Sequence, residues 1–202
     1  DVEDKFKFVI CRHEGGAANM ADAYGKLTGE PGLCFVTRGP GASNATVGVH
    51  TAYQDSTPLI LFIGQIHSRY AERESFQEVD YRRMFGQMAK WVASIDHADR
   101  VQEMVSHAYH LATSGRPGPV VLALPEDMQD EEVPLKKAAR YQRVAAHPGD
   151  ADMHRLRDLL SKAKKPMVIL GQAGWSKQGC EDFLAFATAY DLPVACSYRA
   201  QD

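Results

Sequence analysis

Cysteine is scarce: the chain has four in 202 residues, Cys11, Cys34, Cys180 and Cys196, and they lie far apart. Cys11, Cys34 and Cys196 sit in strand-like runs, where a free thiol behaves as a small hydrophobe, so a reducing, cytoplasmic setting is expected. An excess of one charge is also missing. The net charge is -3 and the isoelectric point about 6.3, so there is no basic field to attract nucleic acid or an anionic membrane. No apolar run approaches the roughly 18 residues of a membrane span, and Asp1-Val2-Glu3-Asp4-Lys5 has none of the grading of a signal peptide. Neither an internal repeat nor a low-complexity tract is present. What remains is 45% hydrophobic, 24% charged and 9% aromatic, a composition that buries a core. At about 150 residues per domain, the length predicts one unit and part of another.

Alternating patterns predict an α/β chain. Lys7-Phe8-Val9-Ile10-Cys11 reads as a strand and 15–27 as a helix ended by Gly29, Pro31 and Gly32. Ala17, Ala18, Ala21 and Gly25 form a small-residue stripe that admits another backbone closely. Leu33-Cys34-Phe35-Val36-Thr37, 58–63, 91–95 and 120–124 read as further strands, three of them buried on both faces of a parallel sheet. Gly39-Pro40-Gly41 reads as a break, after which Ser43 or Asn44 caps a helix to about Tyr53. Val101, Met104, Val105, Ala108, Leu111 and Ala112 keep a helical period, with Asp96 or Asp99 as cap. A polar stretch with Pro134, Pro148 and Gly149 predicts a linker. Beyond it, helices over 153–163 and 180–190 alternate with strands over 167–170 and 193–196, in a second sheet.

Ligands of such folds bind outside the carboxyl ends of the strands, which directs attention to 12–14, 38–44 and 65–80. Glu14, at a strand-to-helix junction, is the leading candidate. The helix terminus favours its anion modestly, whereas burial raises a carboxyl pKa strongly; if the group is buried, burial wins. A partly protonated carboxyl could share a proton with a ring nitrogen. Gly39-Pro40-Gly41 admits backbone close to a ligand but matches neither a dinucleotide fingerprint nor a P-loop. His13-Glu14 lacks the second His of a zinc protease, and His107 and His110 lack a third metal ligand. Ser43 is not in a nucleophile elbow.

The run from Arg12-His13-Glu14-Gly15-Gly16-Ala17 to Thr28-Gly29 resembles the pyrimidine-binding domain of thiamine-diphosphate-dependent enzymes of the acetolactate synthase-like group. Thr37-Arg38-Gly39-Pro40-Gly41-Ala42-Ser43-Asn44, Ala52-Tyr53-Gln54-Asp55-Ser56-Thr57-Pro58, Ser75-Phe76-Gln77-Glu78-Val79-Asp80 and Gly115-Arg116-Pro117-Gly118-Pro119 follow in the family's order. The resemblance implies a three-layer, parallel-sheet thiamine-diphosphate-binding fold over 1–128 without its first strand and helix. A linker over 129–150 and a partial Rossmann-like α/β central domain over 151–202 would follow. It implies that Glu14 hydrogen-bonds N1′ of the cofactor's aminopyrimidine and promotes its 4′-imino tautomer, with Gln77 as a second catalytic residue. Thr37, Gly39, Pro40, Gly41 and Asn44 would line the pyrimidine pocket, and Phe76, Gln77 and Lys90 would face the substrate. Two residues depart from the pattern: Arg38 stands where many synthases have a small residue, and Trp91 follows Lys90 where they usually have His.

The expected activity is decarboxylation of a 2-oxo acid with carboligation, nearest to acetolactate synthase. The Gly-Asp-Gly segment with downstream Asn that holds diphosphate and Mg2+ in this family does not occur in these residues. The chain alone is therefore expected to hold half a site and be inactive, as a fragment of a homodimer or homotetramer. FAD stays open as a further cofactor. The alternatives are a non-catalytic or split-subunit module of the same fold, or a related oxidase or oxalyl-CoA decarboxylase.

Overall fold

The computed structural model describes residues 5–134, 141–172 and 174–201. It divides into two compact units, Asp1–Arg143 and Val144–Asp202. In the first, β1 (Gly32–Val36), β2 (Leu59–Gln65), β3 (Trp91–Ser94) and β4 (Pro119–Pro125) form one parallel sheet in the order β1-β2-β4-β3. The two central strands are nearly unbroken apolar runs because both of their faces are covered. Alternate residues sort to opposite sides. Leu59, Leu61, Ile63, Val121 and Ala123 meet α1 (Glu14–Thr28), α2 (Gly39–Asp55) and α3 (Tyr81–Phe85), whereas Ile60, Phe62, Val120 and Leu122 meet α4 (Val101–Thr113) and Met128. The outcome is helices on both faces of a parallel sheet.

The small-residue stripe on α1 does what its composition predicts. Ala18 and Ala21 are buried against Ala42, Ala45, Val49 and Ala52 of α2. The helices approach so closely that a Cβ on Gly48 would stand 2.5 Å from Ala18 Cβ. Helix α1 ends on Gly29 at φ 71, a left-handed cap whose N–H donates to Gly25 O. Helix α4 is preceded by a 3₁₀ turn, Ala98–Arg100, and neither Asp96 nor Asp99 caps it; its N-cap is Arg100, without a side-chain hydrogen bond.

The segments at 7–11 and 39–43 also differ from expectation. Residues 7–11 form no strand: the segment joins no ladder, and Phe8 and Ile10 are 74% and 89% exposed. An apolar run becomes a strand only where a ladder partner stands beside it, and β1 is left as an open edge among the described residues. Gly39-Pro40-Gly41 does not break regular structure; it is the first turn of α2. Proline lacks only an N–H that has no intrahelical partner at that position, so it opens the helix without loss. Ser43 is accordingly one turn inside, its hydroxyl donating back to Gly39 O at 2.8 Å rather than capping.

After α5 (Glu126–Gln129), the second unit begins with α6 (Asp150–Lys162) and pairs β5 (Val168–Leu170) in parallel with β6 (Val194–Cys196). Between them, α7 (Lys177–Ala189) starts earlier than its apolar period suggests, because the Ser176 hydroxyl accepts the Gly179 N–H at 3.0 Å. Cys34 is buried, as a small hydrophobe should be, whereas Cys180 and Cys196 are exposed.

Candidate active site

All four strands of the first unit run the same way, so their carboxyl ends share one edge. There the starts of α1 and α2 and the loop after β2 come together. Helix α1 opens at Glu14, with His13 as its N-cap: the His13 Nδ1 accepts the Gly15 N–H at 3.0 Å and thereby fixes where the helix starts. Asn44, one turn into α2, donates from Nδ2 to Glu14 Oε2 at 3.0 Å. Gly41 stands beside the other carboxyl oxygen. A Cβ there would lie 3.4 Å from Glu14 Oε1 and 2.9 Å from Thr37 Cγ2, so only glycine leaves this space open above the carboxylate.

Glu14 is half-buried, and its pKa is lowered from the usual carboxylate value. The Asn44 hydrogen bond is the main cause, helped by the residue's own backbone N–H and by His13, against a smaller upward push from burial. The condition for a raised pKa, full burial, is not met in this chain; Glu14 is an ionised acceptor with one oxygen already oriented.

The loop after β2 closes onto the same place. Gln77 O accepts the Gly39 N–H at 3.1 Å, and a Cβ on Gly39 would lie 3.0 Å from that oxygen. Within this loop Glu72, Glu74 and Gln77 have φ values of 63, 54 and 65, a left-handed conformation that disfavours side chains and costs about 1–3 kcal/mol each. Phe76 is 78% exposed beside them. The sheet edge thus gathers Glu14, Thr37, Gly39, Pro40, Gly41, Asn44 and the Phe76-Gln77 pair.

Lys90 is not among them. It immediately precedes β3 and therefore lies at the amino end of the strands, where its Nζ donates to Leu111 O and to Ser114 O, the latter at 2.7 Å. Partial burial lowers its pKa, and its task is to satisfy carbonyls at the end of α4. Its expected place on the substrate side is corrected accordingly.

Two contacts at the carboxyl edge escaped the sequence reading. Arg38 Nη2 pairs with Glu126 Oε2 at 3.1 Å, joining the ends of β1 and β4 across the end of β2. Asp127 accepts the Ser68 N–H at 2.9 Å and the Ser68 hydroxyl, and these bonds lower its pKa. Opposite charges directly after two predicted strands were the available signal for the first. Among the described residues no group of three or more His, Cys, Asp or Glu is placed to hold a metal ion. No helix among them is long and apolar enough to cross a membrane.

The α/β domain thus carries, at the carboxyl edge of its parallel sheet, a glutamate held by asparagine beside a glycine. Residues 1–84 match the family of thiamine pyrophosphate enzymes, N-terminal TPP binding domain. Among curated proteins it is similar to the acetolactate synthase large subunit of Lactococcus lactis subsp. lactis, with 36% identity over 192 residues, 92% of this chain and 33% of the relative. The acetolactate synthase large subunit of Corynebacterium glutamicum is 32% identical over 200 residues, 97% of this chain and 32% of its own length. That of Haemophilus influenzae is 32% identical over 195 residues, covering 94% and 34%. The chain spans about a third of the length of these relatives.

Proposed function

We propose that residues 1–128 supply the aminopyrimidine side of a thiamine diphosphate site in a 2-oxo acid decarboxylase and carboligase, nearest to acetolactate synthase. The observation that carries this reading is Glu14, held by Asn44 with Gly41 open beside it. The donor set fits the group: a carboxylate for a ring nitrogen, and a glycine where a side chain would obstruct a flat ring. When bound, thiamine diphosphate supplies a carbon nucleophile for the 2-oxo carbonyl and an electron sink for the loss of carbon dioxide.

The residues of this chain prepare that chemistry. Asn44 fixes Oε2, which aims the other oxygen of Glu14 past Gly41. Glu14 would hold the ring nitrogen N1′: with water displaced from it by a bound ring, the carboxylate pKa would rise, and Glu14 would take up a proton from solvent and share it with N1′. Phe76 and Gln77 face the 2-oxo acid. Diphosphate and Mg2+ are held by a separate domain, contributed by a second subunit in a homodimer or homotetramer. On this reading a linker spans 129–150, of which 135–140 lie outside the described residues, and a central domain starts at 151.

A non-catalytic module has no use for an oriented carboxylate at this position, which favours the enzyme. Glu14→Gln in the full-length gene product should lower turnover on the order of 10²- to 10⁴-fold, the usual weight of a general acid–base group. Its circular-dichroism melt should match the parent's; near-normal turnover would sink the assignment. The absorption spectrum of the purified protein tests for FAD.

A further inference from the structure

The loop between β2 and α3 is held in a demanding shape by a side chain that the proposed chemistry does not use. Glu78 Oε1 accepts the Glu72 N–H at 2.7 Å and Oε2 accepts the Ser75 N–H at 3.0 Å. Its own N–H donates to Ser75 O at 3.0 Å, and the Ser75 hydroxyl donates to Tyr70 O at 2.8 Å. Among the described residues no Lys or Arg forms an ion pair with Glu78. A half-buried carboxylate with both oxygens on backbone N–H groups and no cation beside it serves to shape the chain.

The shape it imposes is specific. The two amides it holds bracket the left-handed Glu72 and Glu74, and the next left-handed residue is Gln77, directly before Glu78. Gln77 O takes the Gly39 N–H at 3.1 Å, and Gln65 Nε2 donates to Val79 O at 3.0 Å. The loop is therefore pinned at its far end by the Glu78 carboxylate and at its near end by α2 and β2. Phe76, exposed, is carried between the two pins.

We infer that Glu78 is a positioning residue: by clamping the amides of Glu72 and Ser75, it presents Phe76 and Gln77 to the substrate over the Glu14 site. This rests on the proposed function for the meaning of that site, but not for the clamp itself. Gln at 78 offers one acceptor and a donor that opposes an N–H, so it keeps at most one of the two bonds; Ala keeps neither.

The test uses Glu78→Gln and Glu78→Ala in the full-length gene product, with hydrogen exchange at residues 72 and 75, thiamine diphosphate binding by calorimetry, and 2-oxo acid kinetics. Exchange at both amides should accelerate, more in Ala than in Gln. The ratio kcat/KM should fall on the order of tenfold to a hundredfold, as misplacement of a positioned group does, while cofactor affinity stays within about twofold. Unchanged exchange overturns the clamp. Faster exchange with parental kcat/KM overturns its link to substrate, and a parallel loss of cofactor affinity shows general damage and overturns it equally. Glu14→Gln with parental turnover would remove the proposed function while leaving the exchange result to report on the clamp.

Discussion

The two ends of the parallel sheet spend their charges differently. At the amino end, cations close helices. Arg116 donates to Tyr53 O at 3.0 Å, Gln54 O at 3.2 Å and the Ser56 hydroxyl at 2.8 Å, and its guanidinium lies over the Tyr53 ring. Lys90 does the same for the last carbonyls of α4, and Lys26 ties Asp22 to Asp55 at 3.2 and 2.6 Å. At the carboxyl end, Glu14 is held by a neutral amide and left half-open, and the nearby loop is strained. The contrast separates two kinds of motif within one family pattern. In this chain the Arg116 segment stitches the Tyr53-to-Ser56 segment in place. The Glu14, Gly39 and Gln77 segments meet at the carboxyl edge, through the Asn44 hydrogen bond to Glu14 and the Gly39 N–H donated to Gln77 O.

The sharpest break of this comparison comes from opposite outcomes at the two ends. Glu14→Gln should remove turnover and spare the melt, as set out above. Arg116→Ala should do the reverse: loss of its hydrogen bonds should destabilise by about 1–2 kcal/mol, seen in urea unfolding, with cofactor affinity unchanged. If Arg116→Ala instead abolished cofactor binding with an intact melt, the division between the ends would fail. Gly48→Ala probes neither end but the packing beneath both; inserting a methyl against Ala18 should cost about 1–3 kcal/mol in the same unfolding assay. Lys90→Met should have a smaller effect, under about 1.5 kcal/mol, leaving kcat at the parental level.

The gentlest prediction concerns protonation. Because the folded pKa of Glu14 is lowered, its contribution to stability is present above the unfolded value and lost as pH falls through the folded one. Asn44→Ala removes the largest cause of that lowering. The Glu14 carboxyl resonance should then titrate at higher pH than in the parent, closer to the ordinary carboxylate range. A resonance that does not move would show that Asn44 is a neighbour and not a holder.

Much of the fold was legible because continuous apolar runs bounded by turn residues leave little choice: β2 and β4 fall where 58–63 and 120–124 predict them. The candidate site was legible as a set of motifs, and the strand directions bring most of that set to one edge. Lys90 was misplaced although the same directions argue against it, since a residue preceding a strand stands at the wrong end of a parallel sheet. Residues 7–11 and the start of α2 were misread for a different reason. Whether an apolar run pairs depends on a neighbour distant in sequence, and glycine and proline punctuate a chain equally well by ending one element or by opening the next. The Glu78 clamp left no signal at all, because a carboxylate bonding backbone amides has no residue partner to predict.

The open side of β1 has a colloidal consequence. With Leu33 and Phe35 45% and 51% exposed, the strand, an edge among the described residues, offers another chain both peptide groups without a ladder partner there and an apolar surface. Expressed as these 202 residues, the protein should therefore associate through that margin as its concentration rises. A lysine at position 35 would place a gatekeeper charge there and turn a sticky reagent into a workable one for spectroscopy.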